Sequence, residues 1–301
     1  MESFRIGTRG SPLALTQAGM VRDALIAAHG WGDDAIEIVV IRTTGDRVQD
    51  RALAEIGGKA LWTKELDRAL LAGEIDCAVH SMKDVETVRP ADIAIAAMLP
   101  RADVRDRIIG TESIDALREG AIIGTSSPRR RAQLLRLRPD LQIVLFRGNV
   151  DTRLAKLAIG EVDATLLAAA GLDRLGRGDT GVSIPIDVML PAPAQGAVGI
   201  ETLAGGGAAA LIAAIGDPDT LRCVMCERAM LAELGADCHS PVAALATLSK
   251  GGMQLRAEIL TEDGADSVSA EAEGADPVAL GRAVGRALLE RAPPAIRRLF
   301  A

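Results

Sequence analysis

Short apolar runs alternate with longer amphipathic segments through residues 1–199. Runs such as "IEIVVI" (36–41) and "DCAVHS" (76–81) are rich in β-branched and small apolar residues. The segments between them have apolar residues at helical spacing. Helices that alternate with short buried strands are typical of mainly parallel sheets. The pattern therefore predicts an α/β architecture.

The alternating pattern occurs twice. "IGTRGSP" (6–12) resembles "IGTSSP" (123–128), "IEIVVIRTTGD" (36–46) resembles "LQIVLFRGNVD" (141–151), and "AGEIDCAV" (72–79) resembles "IGEVDATL" (159–166). Three matches in the same order predict an internal duplication, and hence two similar lobes. We expect the first lobe to comprise residues 1–99 and about 196–216, and the second to comprise 100–195. The segments "LPRADVRDRIIG" and "MLPAPAQGAVGIE" are the expected crossings between them.

Residues 217–301 have a different pattern. A helical segment, "DTLRCVMCERAMLAELG", precedes three strand candidates, "VAALATL", "MQLRAEIL" and "SVSAEAE", and "PVALGRAVGRALLERA" closes the chain with helical spacing. We expect a small third α/β domain of three strands and two helices.

Each copy of the duplication opens its first helix with Ser-Pro, at Ser11-Pro12 and Ser127-Pro128. Serine suits the N-cap and proline the first helical position. Free N–H groups at a helix N-terminus favour an anion, and ligands of open α/β sheets bind beyond the carboxyl ends of the strands. Two facing lobes would thus form a cleft with anion sites on both walls. Capping alone also explains Ser-Pro.

The charge distribution agrees with a small anionic ligand. The 301 residues carry a formal net charge of −7, which argues against a nucleic-acid partner. Residues 121–153 nevertheless contain seven arginines and two acidic residues, a local charge of +5. A solvated helix face is the alternative explanation. With no apolar run long enough to span a membrane and no basic leader before an apolar stretch, we expect a cytoplasmic protein.

The four cysteines allow more than one interpretation. Cys223-x-x-Cys226 followed by Cys238-His239 could bind zinc, but the first two fall on one predicted helix rather than in a tight turn. We expect Cys223 and Cys226 to be buried helical residues, and we predict no metal site. Cys238 lies in a loop, where its thiol could face a cleft or could fill a small buried space.

A predicted strand ends in two opposite charges, Lys83 and Asp84, in "AVHSMKDVET". Alternation along an extended segment would point the two side chains in different directions, so they need not form a salt bridge. Asp84 could cap the following turn, or it could be a functional carboxylate at the strand end.

Several motifs together closely resemble the porphobilinogen deaminase family. They are "VHSMKDV", "GGKALWTKEL", "GTSSPRRRAQL", "LFRGNVDTRL" and "LPAPAQGAVGIE", which occur in the family's order over nearly the whole chain. The resemblance implies two similar lobes of the type II periplasmic-binding-protein kind around a cleft, plus a small third α/β domain. The chain departs from the family at Glu86, where proline is usual, at Ala236-Asp237 before the cysteine, where Gly-Gly is usual, and at Val242-Ala243, where Ile-Gly is usual.

The resemblance also implies an activity. The family joins four porphobilinogen molecules head to tail into hydroxymethylbilane, releasing ammonia at each step of tetrapyrrole biosynthesis. Its dipyrromethane cofactor is a primer of two linked pyrroles, held by a thioether that here falls on Cys238. The family tends to be monomeric.

The resemblance assigns residue roles as well. Asp84 is expected to be the catalytic carboxylate that stabilises the cationic pyrrole formed on loss of ammonia. His80 is expected to be structural. The residues expected to bind cofactor or substrate, mainly through their carboxylates, are Arg9, Ser11, Lys59, Ser81, Lys83, Thr125, Ser126, Ser127, Arg129, Arg130, Arg147, Arg153, Arg174 and Gln195.

Two other functions fit parts of the sequence. A two-lobed module that binds a small anion would show the same duplication and hinge, but it would need neither the third domain nor Cys238. A zinc or redox protein would use the four cysteines.

Overall fold

The computed structural model describes residues 3–42, 63–249 and 252–300. Its strands are β1 (Phe4–Arg9), β2 (Ile36–Ile41), β3 (Cys77–Ser81), β4 (Ile93–Met98), β5 (Asp106–Ile109), β6 (Ile122–Gly124), β7 (Gln142–Val144), β8 (Ala164–Ala168), β9 (Val182–Ser183), β10 (Val198–Leu203), β11 (Val242–Ser249), β12 (Gly252–Leu260) and β13 (Ser267–Gly274). Its helices are α1 (Pro12–His29), α2 (Lys64–Leu71), α3 (Pro128–Leu137), α4 (Val150–Ala158), α5 (Ala169–Arg174), α6 (Ala208–Ala213), α7 (Pro218–Leu234), α8 (Pro277–Arg291) and α9 (Pro294–Arg297). Short 3₁₀ turns cover Asp33–Ala35 and Met82–Asp84.

Two five-stranded sheets form the two lobes and have equivalent strand orders. The first is ordered β2-β1-β3-β10-β4 and the second β7-β6-β8-β5-β9. The first three strands in each order are parallel to one another. The fourth strand, β10 in the first sheet and β5 in the second, is antiparallel to the third. The predicted α/β duplication is confirmed, because the two lobes share one strand order.

The helix starts that follow β1 and β6 are built alike. Ser11 Oγ accepts a hydrogen bond from the Ala14 N–H at 3.3 Å, and Ser127 Oγ accepts one from the Arg130 N–H at 3.4 Å. Proline follows each serine inside the first helical turn. The Ser-Pro pairs are therefore N-caps, as the sequence indicates.

Buried aliphatic side chains hold each lobe together. Ile6, Val79 and Ile200 lie in the core of the first lobe, and Ile123 and Leu166 in the core of the second. Each fully buried side chain of this size contributes about 1.5–3 kcal/mol relative to an exposed one.

The third domain is the predicted one of three strands and two long helices, with α9 as a further short turn. β11, β12 and β13 form an antiparallel sheet, and its buried face packs against α7 and α8. Cys223 and Cys226 are buried in α7, as predicted, and burial raises the pKa of Cys226 to about 12. None of the helices in the described ranges is both long and apolar enough to cross a membrane.

Candidate active site

A cavity of about 720 Å³ lies between the two lobes, and the third domain closes part of it. This volume is within the range of small-molecule sites. The predicted site residues on its wall are Arg9, Ser11, Ser81, Lys83, Asp84, Ser126, Ser127, Arg129, Arg130, Arg147, Arg153, Arg174, Gln195 and Cys238.

Two predicted binding residues are not on this wall as described. Thr125 is buried behind it, where its Oγ1 accepts a hydrogen bond from the Ser127 N–H at 3.2 Å. It therefore supports the N-cap of α3. Lys59 lies outside the described residues.

Cys238 lies in a loop that begins where α7 ends. Gly235, with a φ of 64°, terminates the helix in the left-handed conformation. Two residues further on, the Asp237 carboxylate accepts a hydrogen bond from the His239 N–H at 2.8 Å, which closes a turn around Cys238. The thiol of Cys238 is free and opens on the cavity.

The thiol of Cys238 is held in its protonated form. Burial by the cleft walls is the main cause that raises the pKa of this thiol to about 12, and the negative charges of Asp84 and Asp237 add to the effect. Asp84 and Cys238 thus interact electrostatically across the cavity, although they are far apart in the sequence.

Asp84 occupies the last position of the 3₁₀ turn that follows β3. The Val85 N–H donates to the Met82 carbonyl at 3.2 Å and closes this turn. The expectation of strand-like alternation at Lys83 and Asp84 is therefore wrong, because the backbone has already turned out of the sheet. Both residues line the cavity, and they form no ion pair with each other among the described contacts.

The third domain holds the backbone just beyond Asp84. The Arg228 guanidinium, from α7, donates to the carbonyls of Glu86 at 2.6 Å and Thr87 at 3.0 Å. Thr87 Oγ1 in turn donates to the Ala236 carbonyl at 2.7 Å, two residues before Cys238. These contacts connect the Asp84 turn with the cysteine loop. Sequence reasoning missed Arg228, although a charge among the apolar positions of α7 was a usable signal.

One buried carboxylate organises the second lobe's wall. Asp106, on β5, pairs with Arg129 and with Arg130 at 2.8 Å each. The two guanidinium groups outweigh the cost of burial and hold the pKa of Asp106 well below its usual range. Gln195 Nε2 also donates to Asp106, at 2.9 Å. Sequence reasoning missed Asp106, since only the fold brings β5 beside α3.

Among the residues that the structure describes, the cavity lining contains more cationic than anionic side chains. The pKa of Lys83 is lowered to about 8, mainly because the side chain is buried. Asp84 opposes this shift and Arg130 adds to it. Burial, with Arg130 and Arg147 nearby, lowers the pKa of Arg153 to about 10 against the opposing effect of Asp84. Within the described ranges, the buried Nε atoms of Arg129, Arg130 and Arg174 have no hydrogen-bond partner. The wall is therefore suited to a ligand with several carboxylates.

His80 lies in the first lobe's sheet and not on the cavity wall. Its Nε2 faces the buried Glu201 carboxylate at 3.2 Å, and Arg89 Nε donates to the same carboxylate at 2.7 Å. This placement agrees with a structural residue.

Comparison with known proteins covers almost the whole chain. Residues 4–209 match the family described as porphobilinogen deaminase, dipyromethane cofactor binding domain, and residues 221–290 match the porphobilinogen deaminase C-terminal domain. Among solved structures, a periplasmic substrate-binding protein of an ABC transporter from Coxiella burnetii is 14% identical with a TM-score of 0.44, covering 72% of this chain and 94% of that one. An ABC transporter structure from Parabacteroides distasonis is 14% identical with a TM-score of 0.41, covering 76% and 74%.

Two curated relatives are much more similar. The porphobilinogen deaminase of Sphingopyxis alaskensis is 59% identical over 305 positions, which cover 99% of this chain and 96% of the relative. The porphobilinogen deaminase of Paracoccus denitrificans is 52% identical over 300 positions, which cover 96% and 95%. The chain belongs to the porphobilinogen deaminase family.

Proposed function

We propose that the cleft joins porphobilinogen units into hydroxymethylbilane, with Cys238 as the attachment point and Asp84 as the reacting carboxylate. As a family member, the chain is a transferase of tetrapyrrole biosynthesis with a dipyrromethane-binding domain. The observation that carries the residue assignment is the shared cavity: a free thiol and a carboxylate lie in one cleft whose opposite wall is cationic.

The residues present fit a dipyrromethane group. Its pyrroles bear acetate and propionate arms, and the buried Nε–H groups of Arg129, Arg130 and Arg174 lack acceptors within the described structure. Carboxylates of the cofactor would supply them, and arginine binds carboxylates bidentately. When bound, the cofactor supplies a primer to which further pyrroles are added.

Cys238 would hold that primer through its sulfur. At neutral pH its thiol is protonated, so formation of the thioether would break the S–H bond and the C–N bond of a protonated aminomethylpyrrole, and would release ammonia and the thiol proton. Asp84 is an acceptor within electrostatic reach and can take this proton.

Asp84 has a charge of the wrong sign for binding the substrate's carboxylates. The Asp84 carboxylate is therefore proposed to interact with positive charge that develops on the substrate during the reaction. Loss of ammonia from porphobilinogen leaves a cationic pyrrole, which a fixed carboxylate in the cleft stabilises. The same carboxylate can accept hydrogen bonds from pyrrole N–H groups and can transfer protons.

The remaining wall residues are proposed to hold carboxylates of cofactor and substrate. Arg9, Ser11, Ser81 and Lys83 belong to the first lobe, and Ser126, Ser127, Arg147 and Arg153 to the second. Thr125 supports this wall from behind, Gln195 lies on the wall and donates to Asp106, and Lys59 is assigned by family resemblance alone. Carboxylates bound between the lobes would offset the mutual repulsion of these cations.

Lys83 gives this wall a pH dependence. A lysine is charged below its pKa and neutral above it, so with a pKa lowered to about 8 its charge is lost as the pH rises through that value. We expect the KM for porphobilinogen to rise from about pH 7 to about pH 9. Lys83→Arg, which stays charged, should flatten this rise relative to wild type. An identical pH profile of KM in the two proteins would contradict the assignment.

The domain boundaries are also proposed: 1–99 with 196–216, 100–195, and 217–301. Strand membership supports them, because β10 pairs with β3 and β4 whereas β5 pairs with β8 and β9. We further propose a cytoplasmic monomer that binds neither membrane nor nucleic acid. The net charge of −7 supports the absence of a nucleic-acid partner.

The assignment is tested by intact mass and product analysis of the purified protein. We expect a mass greater than the sequence by two linked pyrroles, an Ehrlich-positive colour, and hydroxymethylbilane formation from porphobilinogen. A binding module would show the sequence mass and reversible binding of porphobilinogen without ammonia release. That result would contradict the proposed function.

A further inference from the structure

Gln133 contacts Arg129 from within the same helix. The two residues lie one turn apart on α3, so their side chains share a face. Gln133 is completely buried, and its Oε1 accepts a hydrogen bond from Arg129 Nη1 at 3.0 Å. A buried hydrogen bond to a charged group is among the stronger ones in a protein. This contact therefore helps to fix the plane of the Arg129 guanidinium.

The other end of the Gln133 amide faces two groups that only accept hydrogen bonds. Its Nε2 donates to the Leu190 carbonyl at 3.2 Å and to the Glu258 carboxylate at 3.4 Å. An amide has one donor end and one acceptor end. Because both acceptors lie on the same side, the NH₂ group must point toward them and the oxygen toward Arg129.

Glu258 belongs to the third domain, the domain that carries Cys238. It lies on β12, is buried, and also forms an ion pair with Arg136 of α3. The chain of contacts thus runs from the third domain through Gln133 to Arg129, which lines the cavity. The Leu190 carbonyl, in the crossing that returns to the first lobe, also accepts from Arg129 Nη1 at 3.0 Å.

We propose that Gln133 is a positioning residue for the carboxylate site at Arg129, and that Glu258 sets the orientation of its amide. The third domain thereby fixes an anion site on the second lobe as well as the cofactor thiol. Asp106 and the Leu190 carbonyl contact the same Nη1 atom of Arg129 that Gln133 contacts, so Gln133 is a third partner that fixes the position of this atom. The inference rests on the proposed role of Arg129 in binding carboxylates.

Gln133→Met tests the role of the amide, because methionine has a similar length and no hydrogen-bonding amide. We expect about a tenfold rise in the KM for porphobilinogen, as for a lost charged hydrogen bond, with little change in kcat. Intact mass should also show a smaller fraction of chains that carry the two-pyrrole cofactor. Glu258→Gln should act in the same direction but less strongly, because its own NH₂ can donate to Gln133 and allow the amide to flip.

Arg256→Met is the matched control at the same domain boundary. It removes the ion pair of 2.8 Å between Arg256 of β12 and Asp187 of the second lobe, without a contact to Gln133. Its KM and cofactor occupancy should equal those of wild type. If it reproduces the Gln133→Met effect, loosening of the boundary explains both, and the inference is wrong.

A double variant separates positioning from general destabilisation. In an Arg129→Leu background, Gln133→Met should change neither cofactor occupancy nor KM further, because its effect acts through Arg129. Full additivity would overturn the inference.

If Arg129→Leu is impaired but Gln133→Met and Glu258→Gln are both normal, the inference fails and the role of Arg129 stands. If Arg129→Leu itself is normal, the inference about Gln133 and the proposed role of Arg129 both fail. Should Gln133→Met not fold, Glu258→Gln decides by the same KM and occupancy measurements.

Discussion

Cys238→Ala is expected to fold, to carry no covalent pyrroles and to form no hydroxymethylbilane. The side chain is a free thiol on the cavity wall, so its truncation leaves no buried hole, and any fall in melting temperature should come from loss of the cofactor's carboxylates. The effect on cofactor content should nevertheless be complete, because a thioether needs the sulfur. Intact mass of the purified variant measures this directly.

Cys223→Ala is the matched control for the attachment site. Cys223 is buried in α7 of the same domain, and burial raises the pKa of its thiol. Its replacement should lower the melting temperature but leave the two-pyrrole mass in place. If Cys238→Ala retained the added mass, or if Cys223→Ala lost it, the attachment would have to be elsewhere.

Asp84→Asn is expected to slow the addition of each pyrrole by about 10²–10⁴-fold, the usual range for lost acid–base help. Asparagine keeps the shape and hydrogen bonding of the side chain but removes its charge and basicity. Loss of cation stabilisation adds to the effect. Single-turnover mixing with mass detection of one-pyrrole additions gives the rate.

Asp84→Glu is the companion variant, since it keeps the charge and moves it by one methylene group. It should retain weak activity, well above that of Asp84→Asn. Cofactor occupancy should persist in both, because the arginine wall supplies most of the binding. If Asp84→Asn adds pyrroles at the wild-type rate, Asp84 has only a structural role in the 3₁₀ turn and the mechanism is refuted.

The order of elements could be predicted because it depends on local patterns. The β-rich runs at residues 36–41 and 77–81 became β2 and β3, and Ser11 and Ser127 became N-caps. These features rest on side-chain periodicity and capping chemistry, which involve residues close together in the chain. The duplication then predicted which strands would be equivalent in the two lobes.

The role of Asp106 and the partners of Arg228 could not be predicted from local patterns. Asp106 acts on Arg129 and Arg130, which are distant in sequence and reach it only because β5 pairs with β8 beside α3. Arg228 contacts the Asp84 turn from another domain. In both cases the partner is determined by strand order and domain packing, and no local pattern encodes it.

By itself, the sequence determined the two-lobed α/β plan, the helix N-termini that face the cleft, and the residue types available for chemistry. Only the tertiary structure decided that Asp84 leaves the sheet in a 3₁₀ turn, that its carboxylate acts on the Cys238 thiol, and that a third-domain carboxylate reaches the amide behind Arg129. The physical reason is that hydrogen bonds and charge interactions act over a few ångströms. Which side chains come that close depends on how the three domains pack.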